Sequence, residues 1–446
     1  MMLAAALVLV LSAAGLFYPW IVYPMWLRRR ARRWSLITIA RDHEVSVSII
    51  IPAFNRESLI LRKLRNTLML DYPAELMEIL VVADGCTDRT EDVVRRVRDP
   101  RVRLVSLPRG GRLSSLQQAV LRARGEILVF TDANVRLRRG SLRKLIRNFA
   151  DWHVGGVSGA VRTRKRRGGD ALGSGETWFA RHDEAVRRLE GQLGSVHAAE
   201  SALYAVRRGL FNAPRNLAQA DDMAISMRVV LAGKRLIHEP AALCFREVQP
   251  DGAHEMQRRR YIVNYAIRSV LDLRWQLIRR PGYAFQVLSH TVSRYLTPVW
   301  ALAGTAAAVT LTMTNPVFVP LLVPPAVFLV LAGAGWMLRR TRLGAFRILA
   351  LPAWFAAFNR ALLFGGLAAV AGYRPLGAKP RSRAAMRSAA SSAAADPADI
   401  PDDDLFLVPQ RAQAQAGATE RQADDVVSDL RAEVGRMGAD ILQALT

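Results

Sequence analysis

The chain is poor in the residues that staple or cross-link a fold. Its 446 residues hold two cysteines, Cys86 and Cys244. They lie far apart and form no metal or redox spacing, which excludes a disulfide framework and fits a reducing compartment. No internal repeat is evident, so solenoids and propellers are excluded. Residues 1–26 lack any charged side chain. Lysine is scarce too: arginine supplies nearly all of the 63 basic residues, which against 38 acidic ones leave a net charge of +25. That balance suits an anionic surface or substrate, although genome composition alone would also enrich arginine and alanine. No nucleic-acid-binding module or aromatic stacking motif accompanies the charge, so nucleic acid is not an expected partner.

What is present begins with LVLVLSAAGLFYPWIVYPMW, long enough to cross a bilayer. Arg28, Arg29, Arg30, Arg32 and Arg33 follow it. A signal peptide carries its positive charge before the apolar run, so residues 1–27 read as an anchor that leaves the next domain in the cytoplasm. A second membrane region is expected over 283–373. Residues 295–313 and 317–338 are two spans around the turn Thr314-Asn315-Pro316, closed by Arg339, Arg340 and Arg342. The segment 345–372 is interrupted by Asn359 and Arg360, and a central arginine costs about 2.5–3.5 kcal/mol on insertion scales. It reads as a re-entrant or interfacial hairpin that leaves the tail cytoplasmic. Beyond it, 376–418 is a low-complexity linker with too little apolar mass to fold. In 419–446, Val427, Leu430, Val434, Met437, Ile441 and Leu445 recur at helical spacing. That stripe predicts an amphipathic helix docking on its own protein, on a second copy or on another protein.

Between the membrane regions, 45–280 alternates strand and helix signals, which predicts an α/β domain with a mostly parallel sheet. VSVSIIIPAF at 45–54, ILVVADGCTDRT at 79–90 and EILVFTDANVRL at 126–137 are continuous apolar runs. Such runs belong to strands buried on both faces. The last two stop at carboxylates, Asp84 and Asp132. Ligands of open α/β sheets collect at the carboxyl ends of strands. With no basic partner in the local sequence, the two acids predict a site that takes a cation or a hydrogen-bond donor from a ligand, as a nucleotide–metal site does.

The order SIIIPAFNRE, VVADGCTDRT, PRGGRLSSLQQAV, GEILVFTDAN, ALYAVRRGLF, ADDMAISMRVVLAGKRLIHEPAA and QRRRY, from about 45 to 265, resembles the inverting family 2 glycosyltransferases of bacterial membranes. The resemblance implies a GT-A fold, Rossmann-like, with transmembrane helices at both ends. It implies transfer from a nucleotide-diphospho-sugar, most often a UDP-sugar, to a membrane-associated glycan or lipid-linked acceptor in polysaccharide or glycolipid biosynthesis. The plasma (inner) membrane is the implied location, with the catalytic domain cytoplasmic.

The same resemblance implies roles residue by residue. Pro52, Ala53, Asn55 and Glu57 lie along the nucleoside, or form an ordinary strand-to-helix turn. Asp84 accepts a hydrogen bond from the base, or caps the following helix. Arg112, after two glycines, offsets diphosphate charge. Asp132 and Asn134 hold Mg²⁺ or Mn²⁺, with asparagine where the family's Asp-x-Asp motif has a second acid. Asp222 is the general base and Asp221 its supporting acid, one of which an N-cap role would explain equally. Gln257 and Arg260 meet the diphosphate, while Glu200 and Tyr261 meet the acceptor. Tyr261 replaces the tryptophan of processive members, and Tyr204, which also lies where the family contacts its acceptor, is as readily a core residue. A polysaccharide synthase and a catalytically degenerate membrane scaffold are the alternatives.

Overall fold

The structure is a computed structural model that describes residues 1–164, 172–211, 222–247, 252–341 and 343–371. The expected linker 376–418 and amphipathic helix 419–446 lie outside the described residues.

Eight strands form one sheet: β1 (Val47–Ala53), β2 (Met77–Asp84), β3 (Val102–Leu107), β4 (Ile127–Thr131), β5 (Val135–Leu137), β6 (Val154–Arg164), β7 (Leu203–Arg207) and β8 (Arg235–Glu247). Their order is β3-β2-β1-β4-β7-β6-β8-β5. The continuous apolar runs are explained by burial on both faces. Ile49, Ile51, Ile79, Val81, Ile127 and Val129 enter one core, while Ile50, Leu80, Val82, Leu128 and Phe130 enter the other. At roughly 1.5–3 kcal/mol for each large side chain buried, these strands carry much of the domain's stabilisation.

The sheet is parallel throughout its first half and mixed in its second, where β6 and β8 pair parallel. β3, β2, β1 and β4 run together, but β7 pairs antiparallel with both β4 and β6, and β5 pairs antiparallel with β8. The reversal sets the site. It lays the carboxyl end of β4 against the start of β7, with Thr131 opposite Leu203 and Phe130 opposite Tyr204.

Among the described residues, three helical segments are long and apolar enough to cross a membrane: Met2–Arg33, Pro316–Met337 and Arg347–Val370. The pair Pro281–Tyr295 and Thr297–Thr314, bent by 56°, makes a fourth if counted as one span. The expected hairpin at 345–372 is corrected: Arg347–Val370 is one unbroken helix. Its buried stripe, Ala350, Ala353, Trp354, Ala357, Phe358, Ala361, Leu362, Gly365 and Ala369, gives it protein neighbours along one side. A Cβ on Gly365 would lie 2.7 Å from the carbonyl oxygen of Arg260, so this helix packs closely on Gly252–Asp272. Arg360 sits off the stripe, 6.0 Å from the Trp336 ring of the neighbouring helix.

A buried polar network joins these helices to the domain. Glu190, on Leu172–Leu193, accepts from Tyr23 Oη (2.8 Å), and its carboxylate meets the Nδ1 atoms of His197 (2.9 Å) and His290 (2.7 Å). It also accepts from the His197 backbone N–H at 3.1 Å. Nε2 of His290 meets Asp183 at 3.0 Å, and Arg294 and Arg187 each reach Asp183 at 2.7 Å. Burial and the neighbouring His290 push the His197 imidazole down to about 4. Burial alone would raise the Glu190 carboxyl, yet His290 and His197 hold it well below the usual range.

Removing one partner of such a network leaves the others buried without a bond. Glu190→Ala should therefore cost about 3–5 kcal/mol, seen as a large fall in the unfolding midpoint of the full chain in detergent. Glu190→Gln, which keeps the shape and one acceptor oxygen, should lose much less. Equal stability of Glu190→Ala and the parent chain would contradict the role given to this network.

Candidate active site

The first acid is held by its own loop. β2 ends at Asp84, and Gly85 then turns the chain with φ 65°. A Cβ at Gly85 would lie 2.7 Å from the Arg109 nitrogen, so glycine permits the close approach of loop 108–111. Asp84 is buried, and its carboxylate accepts from the backbone N–H groups of Gly110 (2.8 Å) and Gly111 (3.1 Å) and from Arg109 (2.6 Å). The Arg109 guanidinium lies 3.5 Å from the centre of the Phe54 ring.

The adjoining loop from β1 is laced to the same strand end. Asn55, in the left-handed region at φ 51°, accepts from Thr87 N at 2.8 Å. Glu57 pairs with Arg89 at 3.0 Å, and the Glu57 N–H donates to Asp88 at 3.1 Å. Asp88 also accepts from Thr90 N at 3.0 Å. Pro52 and Ala53 are β1 residues in register with Val82 and Ala83.

The second acid meets the base candidate through one guanidinium. Arg112 donates to Asp132 Oδ1 at 2.8 Å and reaches both oxygens of Asp222 at 3.4 Å. Arg246 stands 3.6 Å from Asp132 Oδ2 and 3.7 Å from Glu200. Burial raises the Asp132 carboxyl, but Arg112, Arg246 and Arg258 more than offset it, so Asp132 titrates below its usual range. Arg112 is likewise driven well above its usual value: burial opposes its charge, and Asp222 and Asp132 overcome that. Asp222 opens the helix Asp222–Leu231 and is 3 % exposed. Its Oδ1 accepts from Tyr204 Oη at 2.7 Å.

The turn carrying Asp132 and Asn134 is braced from below. Lys63 Nζ donates to Thr131 Oγ1 at 2.9 Å and to the Val135 carbonyl at 2.8 Å, on either side of that turn. Burial pushes Lys63 down to about 7.

Arg112, Asp132 and Asp222 share one cavity of about 430 Å³, which Asp84 and the loop after β1 do not line. Arg112, Asp132, Glu200, Asp222, Arg246 and Arg258 line one part. Glu176, Phe179, Tyr295, Phe358 and Leu362 line the rest, so the cavity runs from the carboxylates to the helices near the membrane segments. His238 also lines it, with both ring nitrogens buried and unpartnered, and burial and Arg187 push it down to about 4.

The structure thus brings together Asp132, Arg112, Asp222, Glu200 and Tyr261. It does not bring Gln257 and Arg260 to them: both are exposed, and Arg258 and Arg259 face the cavity instead. Asn134 is half-buried beside Asp132, and Asp221 lies outside the described residues. The two strand-end acids do have basic partners, contrary to the local reading of the sequence. Arg109 is the partner of Asp84, and Arg112 and Arg246 are those of Asp132; Arg109 and Arg246 did not stand out in a chain so rich in arginine. Among the described residues, Glu190, His197 and His290 form a cluster of metal-ligand type, within 4.8 Å of one another. Their facing atoms already hydrogen-bond to each other.

The family described as "Glycosyl transferase family 2" matches residues 48–207. The poly-beta-1,6-N-acetyl-D-glucosamine synthase of Staphylococcus aureus (strain COL) is 26% identical over 255 residues, covering 52% of this chain and 59% of that protein. The chain therefore spans rather more than half the length of that relative. The glycosyltransferase AglD of Haloferax volcanii is 31% identical over 122 residues, covering 26% of this chain and 20% of that protein. Among solved structures, the mannosyltransferase of Pyrobaculum calidifontis in complex with GDP-Man and Mn²⁺ superposes with a TM-score of 0.62. It is 22% identical and covers 83% of this chain and 100% of that one. The strand-end acids, the mixed sheet that carries them and the family match lead to one conclusion: the chain carries a family 2 glycosyltransferase domain over residues 48–207.

Proposed function

We propose that the protein transfers a sugar from a nucleotide-diphospho-sugar, a UDP-sugar by preference, to a glycan or lipid-linked acceptor at the membrane, with inversion at the anomeric carbon. The observation that carries this reading is the Arg112 bridge. It puts an ionised strand-end acid and a buried candidate base on one cavity that continues towards the membrane helices.

In this reading Asp84, Arg109 and Phe54 frame the nucleobase, and Pro52, Ala53, Asn55 and Glu57 border the nucleoside. Arg112, Arg246 and Arg258 take the diphosphate charge. Asp222 removes the proton of the acceptor hydroxyl as its oxygen attacks the face opposite the diphosphate. Asp221, beside it in sequence, is the supporting acid. Glu200 and Tyr261 border the acceptor.

Asp132 suits a hard divalent cation because it is held ionised at a strand end among groups that exchange positive charge. Asp132, with the Asn134 amide oxygen, would hold Mg²⁺ or Mn²⁺, which when bound neutralises leaving-group charge. The arginine run after residue 27 and Arg339–Arg340 support a multi-pass protein of the plasma membrane with its catalytic domain in the cytoplasm. A second reading, repeated addition by a polysaccharide synthase, draws on Tyr261 and Tyr265. Their rings are 4.3 Å apart and both line the cavity, as an aromatic platform for a sugar would.

Chelation with EDTA should abolish nucleoside diphosphate release from a nucleotide sugar, and Mg²⁺ or Mn²⁺ should restore it. Asp132→Ala should fold but not respond to added metal; full metal-free activity in that variant would remove the metal role. Asp222→Asn should slow transfer by at least about 10²-fold with donor binding little changed, as expected of a lost general base. Near-normal transfer by Asp222→Asn together with an inactive Asp221→Asn would show that the neighbouring acid is the base. A cysteine placed at Ser106 should label only when the membrane is opened; labelling of intact cells would reverse the orientation.

A further inference from the structure

We propose that Lys63 and Asn66 are positioning residues for the metal: they clamp the turn that presents Asp132 and Asn134, and so set how tightly Mg²⁺ or Mn²⁺ is held. The inference rests on the reading of Asp132 and Asn134 as metal ligands. It goes beyond that reading to two residues that no motif singles out.

The sheet alone gives this turn little support. β5, which follows it, is three residues long and lies at one end of the sheet, paired only with β8. Such an edge strand leaves backbone groups that must find partners elsewhere. The turn itself is closed by the Val135 N–H, which donates to the Asp132 carbonyl at 3.3 Å. That is a long bond.

The helix Glu57–Leu68 supplies what a further strand would. Lys63 and Asn66 are three residues apart on it and share one face. Asn66 Nδ2 donates to the Leu137 carbonyl at 2.9 Å, and Asn66 Oδ1 accepts from the Leu137 N–H at 2.7 Å. A residue on a neighbouring antiparallel strand exchanges the same two bonds. Lys63 Nζ donates to Thr131 Oγ1 at 2.9 Å and to the Val135 carbonyl at 2.8 Å. Asp132, Ala133 and Asn134 lie between those two contacts. Both ends of the turn are thus tied to one helix.

Burial shows what the lysine is there for. Lys63 is 2% exposed, Asn66 6% and Thr131 0%. Lysine is almost never buried so fully unless paired, and the bonds of Lys63 go to a hydroxyl and a carbonyl rather than to a carboxylate. Methionine would fill the same space beside Ile60 and Leu64 without taking an amine out of water. The two oxygens flanking the turn are what the amine adds.

A hard divalent cation needs oxygen ligands at set positions. Here one carboxylate and one amide oxygen are offered, so less charge attracts the ion than at a pair of acids. Affinity then depends more on ligands held in place before the ion arrives. Arg112 and Arg246 contact the Asp132 side chain from the cavity. Lys63 and Asn66 fix the backbone on either side of it.

The test uses the full chain in detergent. Electron paramagnetic resonance of free Mn²⁺ reads binding with UDP and, separately, with GDP, each corrected for the nucleotide alone; thermal unfolding is followed alongside. Lys63→Met should fold and weaken Mn²⁺ binding by about 10-fold or more, the size typical of groups that orient metal ligands. Asn66→Ala should act in the same direction. Thr131→Val, which removes one acceptor and keeps the shape, should weaken binding by about 3-fold, and by little more in the Lys63→Met background. Should Lys63→Met fail to fold, Thr131→Val and Asn66→Ala decide the matter by the same measurement. Folded variants that bind Mn²⁺ as tightly as the parent, with only the unfolding midpoint lowered, would make the clamp purely structural and overturn the inference. Unchanged Mn²⁺ binding by Asp132→Ala would instead overturn the metal reading beneath it.

Discussion

The arrangement of this active site depends on one guanidinium. Asp132 and Asp222 come from opposite parts of the fold, a strand end and a helix start, and both are turned into the same cavity. Two carboxylates so placed repel, and each loses hydration, which costs several kcal/mol per ion unless a cation is built in. Arg112 is that cation, set between the two carboxylates. In the proposed reading a donor diphosphate would compete for Arg112, which would link donor binding to Asp222 through a single side chain.

A second buried charge system sits under the first. The bonds of Glu190 reach Tyr23 on the first membrane helix and His290 on the bent helix pair. Asp183 carries the network on to Arg294 and Arg187, and Arg187 lies 3.5 Å from Glu200 in the cavity. Residues of these apolar helices, Tyr295 and Phe358 among them, are therefore part of the wall of the cavity.

Much of the first half of the domain was legible because its physics is local. Ile49 to Ile51 and Leu128 to Phe130 must be buried on both faces, and a carboxylate ending such a strand has few explanations. The second half was not, because β7 is five residues of ordinary character whose antiparallel pairing is decided by the long excursion before it. Arg109 and Arg246 were hidden by the abundance of arginine. On Gly252–Asp272 the motif match indicated Gln257 and Arg260, but the helix phase turns Arg258 and Tyr261 to the cavity. At Arg347–Val370 the cost of Asn359 and Arg360 was weighed against lipid. The alanine-rich stripe gives that helix a protein surface on one side, and Arg360 a tryptophan beside it.

Single displacement by a base held at the Arg112 bridge has a stereochemical consequence that no binding measurement can imitate. Proton NMR of the first product formed from an α-linked nucleotide sugar reads the new anomeric configuration directly. The account predicts a β-linkage, with the large axial–axial coupling expected for a gluco-configured sugar. An α-linked product would mean retention, and would contradict direct attack assisted by Asp222.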